Sequence, residues 1–230
     1  MMWPQNPQKK VKSILNKIKA GQASEMDIAS LGASLDEQPS VVAETVTFLT
    51  GLIQKEDAKA CSMAIQALNV AADKDLGKVA DSLDMIVGFI DTAGRKFHED
   101  WILSSLEILF KICQKYPEKM SIAISELFVC LGNSSPKVRE KAYFPLAILV
   151  VTQPGFFRGR SKELIRALSG LTVDERIYAC RIIKKIAEKD SGIVEDVSCI
   201  LEDLRFNSPD GNLRSEAAYA VEKLKIIETA

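Results

Sequence analysis

The amino-acid sequence predicts an all-α fold of about five stacked helix pairs behind an N-terminal helical cap. Three observations lead to this prediction: an apolar pattern that recurs along the chain, turn residues between the predicted helices, and no run with the alternation of a β-strand. The 230 residues include only 12 glycines and 8 prolines, which leaves room for long helices.

Five segments share one helical pattern, in which a small residue is followed by apolar residues four and seven positions later. These offsets fall on one face of an α-helix, and the small residue allows a neighbouring helix to approach closely. Successive small residues are separated by 41, 37, 37 and 38 positions. A near-constant interval of about 40 residues is typical of helix-pair repeats. The five small residues are Ala64, Ser105, Ala142, Ala179 and Ala217.

A partner helix is predicted before each of these five helices. The partners cover about residues 40–54, 76–91, 118–131, 157–169 and 193–206. Turn residues separate the two helices of a pair at Gly132–Pro136 and at Asn207–Gly211. We therefore predict one repeat domain over residues 1–230, with a cap at 8–37. Its repeats are predicted at about 40–75, 76–117, 118–154, 155–191 and 192–230.

The third repeat carries the clearest family resemblance. Its segment Ser135–Ala142 contains Pro136 and Arg139 before the small residue, and it resembles the second helix of a HEAT repeat. Arg176 and Arg214 hold the same position in the last two repeats, whereas the first two repeats depart from the pattern. The resemblance covers about residues 40–230 and extends to armadillo repeats.

This resemblance implies a right-handed α-α superhelix whose second helices line a concave side. Proteins of this kind usually bind other proteins, sometimes nucleic acids, and rarely catalyse reactions. Arg139, Arg176 and Arg214 would form a column through successive repeats. They could grip an acidic partner, or they could bind turn carbonyls and acids such as those near Asp174 and Asp210.

A candidate binding surface is predicted two and six positions after each small residue, away from the buried stripe. Aromatic residues beside arginine and lysine are common in binding hot spots, and an acidic peptide or amphipathic helix would complement them. The alternative is that Phe144 and Ile148 pack against an adjacent repeat. In the last three repeats the candidate residues are Phe144, Ile148, Arg181, Lys185, Tyr219 and Lys223.

Two further segments have alternative interpretations. Pro154–Arg160 combines two phenylalanines with two arginines, and it could contact phosphate or RNA or could fill the turn between repeats. Val11–Lys19 is a basic amphipathic helix that could meet a membrane or a partner, or could cap the repeats. Residues 1–19 carry five lysines and no acid.

Catalysis, metal binding and a cofactor have little support in the sequence. The single histidine, His98, lies beside Glu99 and Asp100 at a helix start and is interpreted as a solvent-facing cap residue. No cluster has metal-ligand spacing, and no glycine-rich phosphate loop is present. The five cysteines lie within apolar helical patterns without a Cys-x-x-Cys motif, which favours reduced thiols and a cytoplasmic location.

The sequence therefore predicts a non-catalytic, protein-binding scaffold, monomeric or weakly oligomeric and without a membrane span. A net charge of −1 does not favour nucleic acid. The alternative is a DNA-repair protein similar to the alkylpurine glycosylases, whose clefts are basic, rich in tryptophan and carry a catalytic aspartate. Asp100 beside Trp101 is the one likeness, and Trp3 is the only other tryptophan. A chaperone or assembly factor is a third possibility.

Overall fold

The fold is all-α throughout the residues that the computed structural model describes, which are 7–54, 57–95 and 98–228. No β-strand occurs within these ranges, and thirteen α-helices are joined by short 3-10 turns and loops. The prediction of an all-α fold of helix pairs is confirmed. The helices are α1 (Pro7–Lys19), α2 (Glu25–Glu37), α3 (Val42–Ile53), α4 (Ala58–Ala72), α5 (Leu76–Ala80), α6 (Leu83–Arg95), α7 (Glu99–Lys115), α8 (Ile124–Leu131), α9 (Pro136–Thr152), α10 (Ser161–Leu168), α11 (Val173–Ala187), α12 (Ser198–Asn207) and α13 (Gly211–Glu228).

The five predicted second helices are α4, α7, α9, α11 and α13, and their buried stripe matches the sequence pattern. All five small residues are completely buried, from Ala64 to Ala217. The apolar residues four positions later are buried as well, from Leu68 to Val221. Each helix therefore keeps one apolar face out of water, which is the main source of its stability.

The first helices of the pairs are shorter and more broken than the sequence predicts. The predicted helix at 76–91 is divided into α5 and α6, and the predicted helix at 193–206 contains α12 preceded by two 3-10 turns. 3-10 turns also precede α3, α8 and α10. Apolar residues three positions apart suit both helix types, so their spacing does not distinguish them.

Short polar side chains begin several of these helices. The Ser24 hydroxyl accepts a hydrogen bond from the Asp27 N–H, and the Asp27 carboxylate accepts one from the Ser24 N–H in return. Asp57 and Thr172 cap α4 and α11 in a similar way. The Asp210 carboxylate accepts a hydrogen bond of 2.8 Å from the Leu213 N–H at the start of α13. These bonds satisfy backbone N–H groups that have no partner within the helix.

The chain divides into two compact units, residues 1–112 and 113–230, with the boundary inside α7. In the first unit α1 and α2 pack on each other and on α4, so the predicted cap covers the first full pair. In the second unit α9 lies beside α11, and α11 lies beside α13. The extent of a single domain over residues 1–230 stays a prediction.

Candidate partner-binding face

The candidate residues lie at equivalent positions on three neighbouring helices of the second unit. We call them the second-helix face, defined by Phe144 and Ile148 on α9, Arg181 and Lys185 on α11, and Tyr219 and Lys223 on α13. Because α11 packs against both other helices, it holds α9 and α13 beside it. The buried stripe of each helix points into the core and leaves this face toward solvent.

Two aromatic side chains of the second-helix face are accessible to a partner. The relative exposure of Phe144 is 46% and that of Tyr219 is 54%, which is high for large apolar groups. Ile148 is half-buried. The accessible rings of Phe144 and Tyr219 thus leave apolar area for a partner to cover.

A tyrosine pair joins α9 to α11 beside the exposed Phe144. The Tyr143 and Tyr178 rings stack with centroids 4.6 Å apart and an interplanar angle of 20°. The Phe144 ring lies 5.9 Å from that of Tyr143, so it forms one end of an aromatic row. Burial raises the pKa of both tyrosine hydroxyls above its ordinary value. The stack fixes the aromatic row in place because neither ring can move without losing the contact.

An ion pair joins α11 to α13 next to the tyrosines. Nε and Nη2 of Arg181 both lie 2.8 Å from the Glu216 Oε1 atom. The hydrogen bond to Glu216 raises the pKa of Arg181 further above its ordinary value. The charge of Arg181 is therefore paired with a carboxylate on the neighbouring helix, while 43% of its side chain remains exposed.

The lysines on and beside the second-helix face do not form ion pairs with described residues as Arg181 does. The Lys184 ammonium lies 5.2 Å from the Tyr219 ring centroid, in cation-π contact. Lys185 and Lys223 have no ion-pair partner among the described residues, and both are half-buried. These two lysines are the cations that remain available to an acidic partner.

The residues that join neighbouring helices do not occupy equal positions in successive repeats, so comparing equal positions does not identify them. Tyr143 lies one residue after the small residue of α9, whereas Tyr178 lies one residue before that of α11. Arg181 and Glu216 are 35 residues apart, slightly less than one repeat. Neighbouring helices meet along their facing edges, so contacting residues are separated by slightly less than one repeat. Here the separation is 35 residues, two or three fewer than the interval between the small residues, and opposite charges at this separation are the sequence signal for such an ion pair.

The arginines at equivalent positions in the last three repeats bind turn carbonyls and acids of the chain itself, most clearly Arg139. Its Nη1 atom donates hydrogen bonds of 2.9 Å to the carbonyl oxygens of Asn133 and Ser134. Its Nη2 atom lies 2.7 Å from the Asp174 Oδ2 atom. Arg139 is buried, so it holds the turn before α9 and is closed to a partner.

The other two arginines of the column also bind their own turns. Arg214 Nη1 donates to the carbonyl oxygens of Ser208 at 2.8 Å and Pro209 at 3.1 Å. Arg176 Nε donates to the Thr172 carbonyl at 3.4 Å. The prediction of bonding to turn acids and carbonyls is confirmed.

The segment Pro154–Arg160 buries Phe157 and leaves Gly155, Arg158 and Gly159 exposed. Phe157 is completely buried, and its ring meets that of Phe128 edge to face at 6.3 Å. Arg160 donates to the Ser125 hydroxyl and to the Glu163 carboxylate, and Arg158 pairs with Asp190. Filling of the turn is thus observed, and both arginines already have protein partners.

The tryptophan of the alternative, DNA-repair interpretation is a core residue. Trp101 is buried, with its ring stacked against Phe89 at 5.4 Å and against His98 at 3.9 Å. His98 is half-buried by this contact and faces solvent less than predicted. Trp3 lies outside the described residues.

The cysteine thiols differ in burial and therefore in reactivity. Burial raises the pKa of the Cys113, Cys130 and Cys180 thiols to about 12, so these thiols are poor nucleophiles. Cys199 is exposed, although its apolar surroundings in the sequence predict burial. In the ranges that the structure describes, no group of three or more histidine, cysteine or acidic residues could hold a metal ion. No described helix has both the length and the apolar character needed to cross a membrane.

Helix pairs at a near-constant interval, with buried small residues in the second helices, form a fold that resembles armadillo and HEAT repeats. A scan against protein-family models found no match, and a search of curated proteins found none either.

Solved structures confirm this resemblance at the level of the fold. A computationally designed armadillo repeat protein for modular peptide recognition has a TM-score of 0.59 and 17% identity, covering 94% of this chain and 98% of that one. A designed armadillo repeat protein in complex with the peptide (KR)4 has a TM-score of 0.56 and 18% identity, covering 96% and 95%. An archaeal HEAT-like repeats protein from Thermococcus onnurineus NA1 has a TM-score of 0.57 and 10% identity, covering 98% and 99%. At such low identity the likeness shows the fold alone.

Proposed function

We propose that this chain is a non-catalytic scaffold that binds a protein partner on its second-helix face. The observation that carries the proposal is the pair of accessible rings, Phe144 and Tyr219, on helices that are fixed to one another. Aromatic groups held in position lose little conformational freedom on binding, so they contribute strongly to affinity. The similar designed armadillo proteins are peptide-recognition proteins, which agrees with this use of the fold.

The partner is an acidic peptide or amphipathic helix. Lys185 and Lys223 support this choice, since they lack ion-pair partners among the described residues and lie on the same group of neighbouring helices as the accessible rings. Carboxylates of the partner would meet these lysines, while its apolar side chains would cover Phe144 and Tyr219. The basic peptide (KR)4, which is bound by one of the similar structures, should therefore not bind here.

The proposal includes a cytoplasmic location and a monomeric or weakly oligomeric state. The five free cysteines support a reducing compartment, because oxidising compartments favour disulfides.

Affinity capture from an extract of the source cells, with quantitative mass spectrometry, tests the aromatic part of the proposal. The double variant Phe144→Ala/Tyr219→Ala should reduce recovery of the specific partner at least about tenfold. The matched control is Leu171→Ala/Phe206→Ala, which removes apolar side chains that are 98% and 69% exposed outside this face. Equal recovery by both double variants would show that the chosen face is wrong.

Charge reversal tests the acidic character of the partner. Lys185→Glu/Lys223→Glu should weaken binding of the captured protein, and the difference from wild type should shrink as salt is added. Lys162→Glu/Lys189→Glu is the control, because it makes the same change of charge at exposed positions away from the face. Arg181→Glu is a poor test, since it would place a carboxylate against Glu216 and disturb the fold.

A further inference from the structure

A groove in the first unit lies between α1 and the start of α3. Its volume is about 430 Å³, within the range of about 300–1,000 Å³ that is common for binding pockets. The two walls are single helical stripes, with spacings of three and four residues on each side. The lining residues are Gln8, Lys9, Val11, Lys12, Leu15 and Asn16 on one wall and Val41, Glu44, Thr45 and Phe48 on the other.

The floor of the groove is apolar. Val11, Leu15 and Val41 are packed into the core and show only an edge to the groove. Phe48 is only partly covered by the rest of the protein. α1 and α3 touch at few points along their length, which leaves the groove open between them. A partner that placed apolar side chains there would remove the remaining apolar surface from water.

The rim of the groove on the α1 side is positively charged. Lys9 and Lys12 stand at this rim and have no ion-pair partner among the described residues. Lys17, on the same helix, has its charge met by Asp27 at 2.7 Å. Glu44 is the single acid in the lining, on the opposite wall.

We propose that this groove is a docking site for an acidic amphipathic helix from a partner protein. The apolar stripe of such a helix would lie over Phe48 and Leu15, and its acidic flank would face Lys9 and Lys12. Charge complementarity selects an acidic partner, because a basic helix would meet two unpaired ammonium groups at close range. The open groove between two helices suits the helix-in-groove mode of recognition. This site lies in the first unit and shares no residue with the second-helix face.

Two synthetic helical peptides test the proposal, with the same leucine stripe and with either glutamate or lysine at every flanking position. Fluorescence anisotropy with the full chain should detect binding of the glutamate peptide and not of the lysine peptide. Amide chemical shifts of the isotope-labelled chain, carrying Phe144→Ala/Tyr219→Ala to remove binding on the second-helix face, should then change mainly within residues 8–16 and 41–48. Absence of binding by the glutamate peptide, or changes confined to α9, α11 and α13, would overturn the proposal.

Charge variants locate the interaction on the rim. Lys9→Glu/Lys12→Glu should weaken binding of the glutamate peptide by about tenfold or more. Lys10→Glu/Lys19→Glu makes the same change of charge on exposed positions of α1 outside the groove, and it should cost much less. Equal losses in both double variants would mean that general attraction to α1, and not the groove, holds the peptide. Because none of these residues belongs to the second-helix face, either proposal can fail without the other.

Discussion

Glu175 lies in a space that exists only because residue 170 has no side chain. A Cβ atom at Gly170 would stand 2.1 Å from the Glu175 Cδ atom, far inside van der Waals contact. The carboxylate has little room to withdraw, since Glu175 is only 6% exposed. An alanine at position 170 would therefore force the Glu175 carboxylate to move within a closely packed turn before α11.

Gly170→Ala should lower the free energy of unfolding by about 1–3 kcal/mol, because the added methyl group overpacks the turn. Urea denaturation followed by circular dichroism measures the change. Gly155→Ala is the matched control, since nothing lies within 4 Å of a Cβ atom there, and its effect should be below about 0.5 kcal/mol. If the two alanine variants were equally stable, the close contact would not constrain the turn.

Burial raises the pKa of the Glu175 carboxyl group, and hydrogen bonds from the Leu171 and Thr172 N–H groups offset this only in part. The folded state consequently holds the Glu175 proton more tightly than the unfolded state does. This contribution to stability is present below the unfolded pKa and is lost as the pH rises through the folded pKa.

The stability of wild type relative to Glu175→Gln should therefore decrease over the range of pH above about 4.5. Glutamine keeps the shape of the side chain and does not titrate, which isolates the contribution of the carboxyl group. Urea midpoints across this range give the comparison. A difference between the two proteins that is independent of pH, or that grows in favour of wild type, would contradict this prediction.

At the residue scale, sequence predicts which side chains are buried better than it predicts their partners. The small residues Ala142 and Ala179 are buried because they share one helix face with the apolar residues four and seven positions later. The bond from Arg139 to Asp174 follows from the family resemblance and the turn acids. The stack of Tyr143 on Tyr178 cannot be predicted in this way. Which residue of α9 faces which residue of α11 depends on how the two helices pack side by side.

At the scale of elements, an aromatic stack and ion pairs add to the apolar packing that holds α9, α11 and α13 together. The Tyr143–Tyr178 stack joins the first two of these helices, and the Arg181–Glu216 pair joins the last two. An aromatic pair contributes about 0.5–1.5 kcal/mol beyond its buried area, and a partly exposed ion pair about 0.2–1 kcal/mol. The stack is thus expected to be the stronger of the two links.

A double-mutant cycle of Tyr143→Leu and Tyr178→Leu should give a coupling energy of about 0.5–1.5 kcal/mol. Leucine keeps apolar volume and removes the ring contact. Thermal or urea unfolding of the four proteins provides the measurement. The combination of Tyr178→Leu with Tyr116→Leu should be additive, because no contact joins these residues, and coupling of equal size there would argue against a specific stack.

Sequence periodicity predicts the long second helices reliably and the first helices less well. α9 and α11 have a full stripe of apolar residues, which fixes both their presence and their orientation. The division between α5 and α6, and the 3-10 turns before α12, leave the apolar spacing almost unchanged. Hydrogen bonding of the backbone decides between these helix types, and a pattern of side chains carries little information about it.

At the scale of the whole molecule, the net charge and the pairing of several arginines give little support to nucleic-acid binding. The net charge is −1, so no general attraction to a phosphate backbone is expected. Arg139, Arg160 and Arg214 are all engaged by carbonyl or carboxylate groups of the chain itself. Trp101 is buried in the core, which removes the single likeness to a base-binding cleft.

The two proposed surfaces have similar chemistry in different units. Each combines lysines unpaired among the described residues with partly exposed aromatic groups, with Lys223 one helical turn after Tyr219 in one and Lys12 lining the same groove as Phe48 in the other. Sequence predicts the first surface through equal positions in successive repeats. It does not predict the groove, because the gap between α1 and α3 depends on how the cap packs on the first pair.

Site-specific photo-crosslinking tests the central proposal, partner binding on the second-helix face, most directly. A photoreactive benzoyl-phenylalanine is placed at position 144 or 219, with position 206 as a control of similar or greater exposure. Irradiation in cell extract should yield the same crosslinked partner from positions 144 and 219, and excess unlabelled chain should suppress it. Crosslinks from position 206 alone, or equal yields of the same adduct from all three positions, would contradict the account.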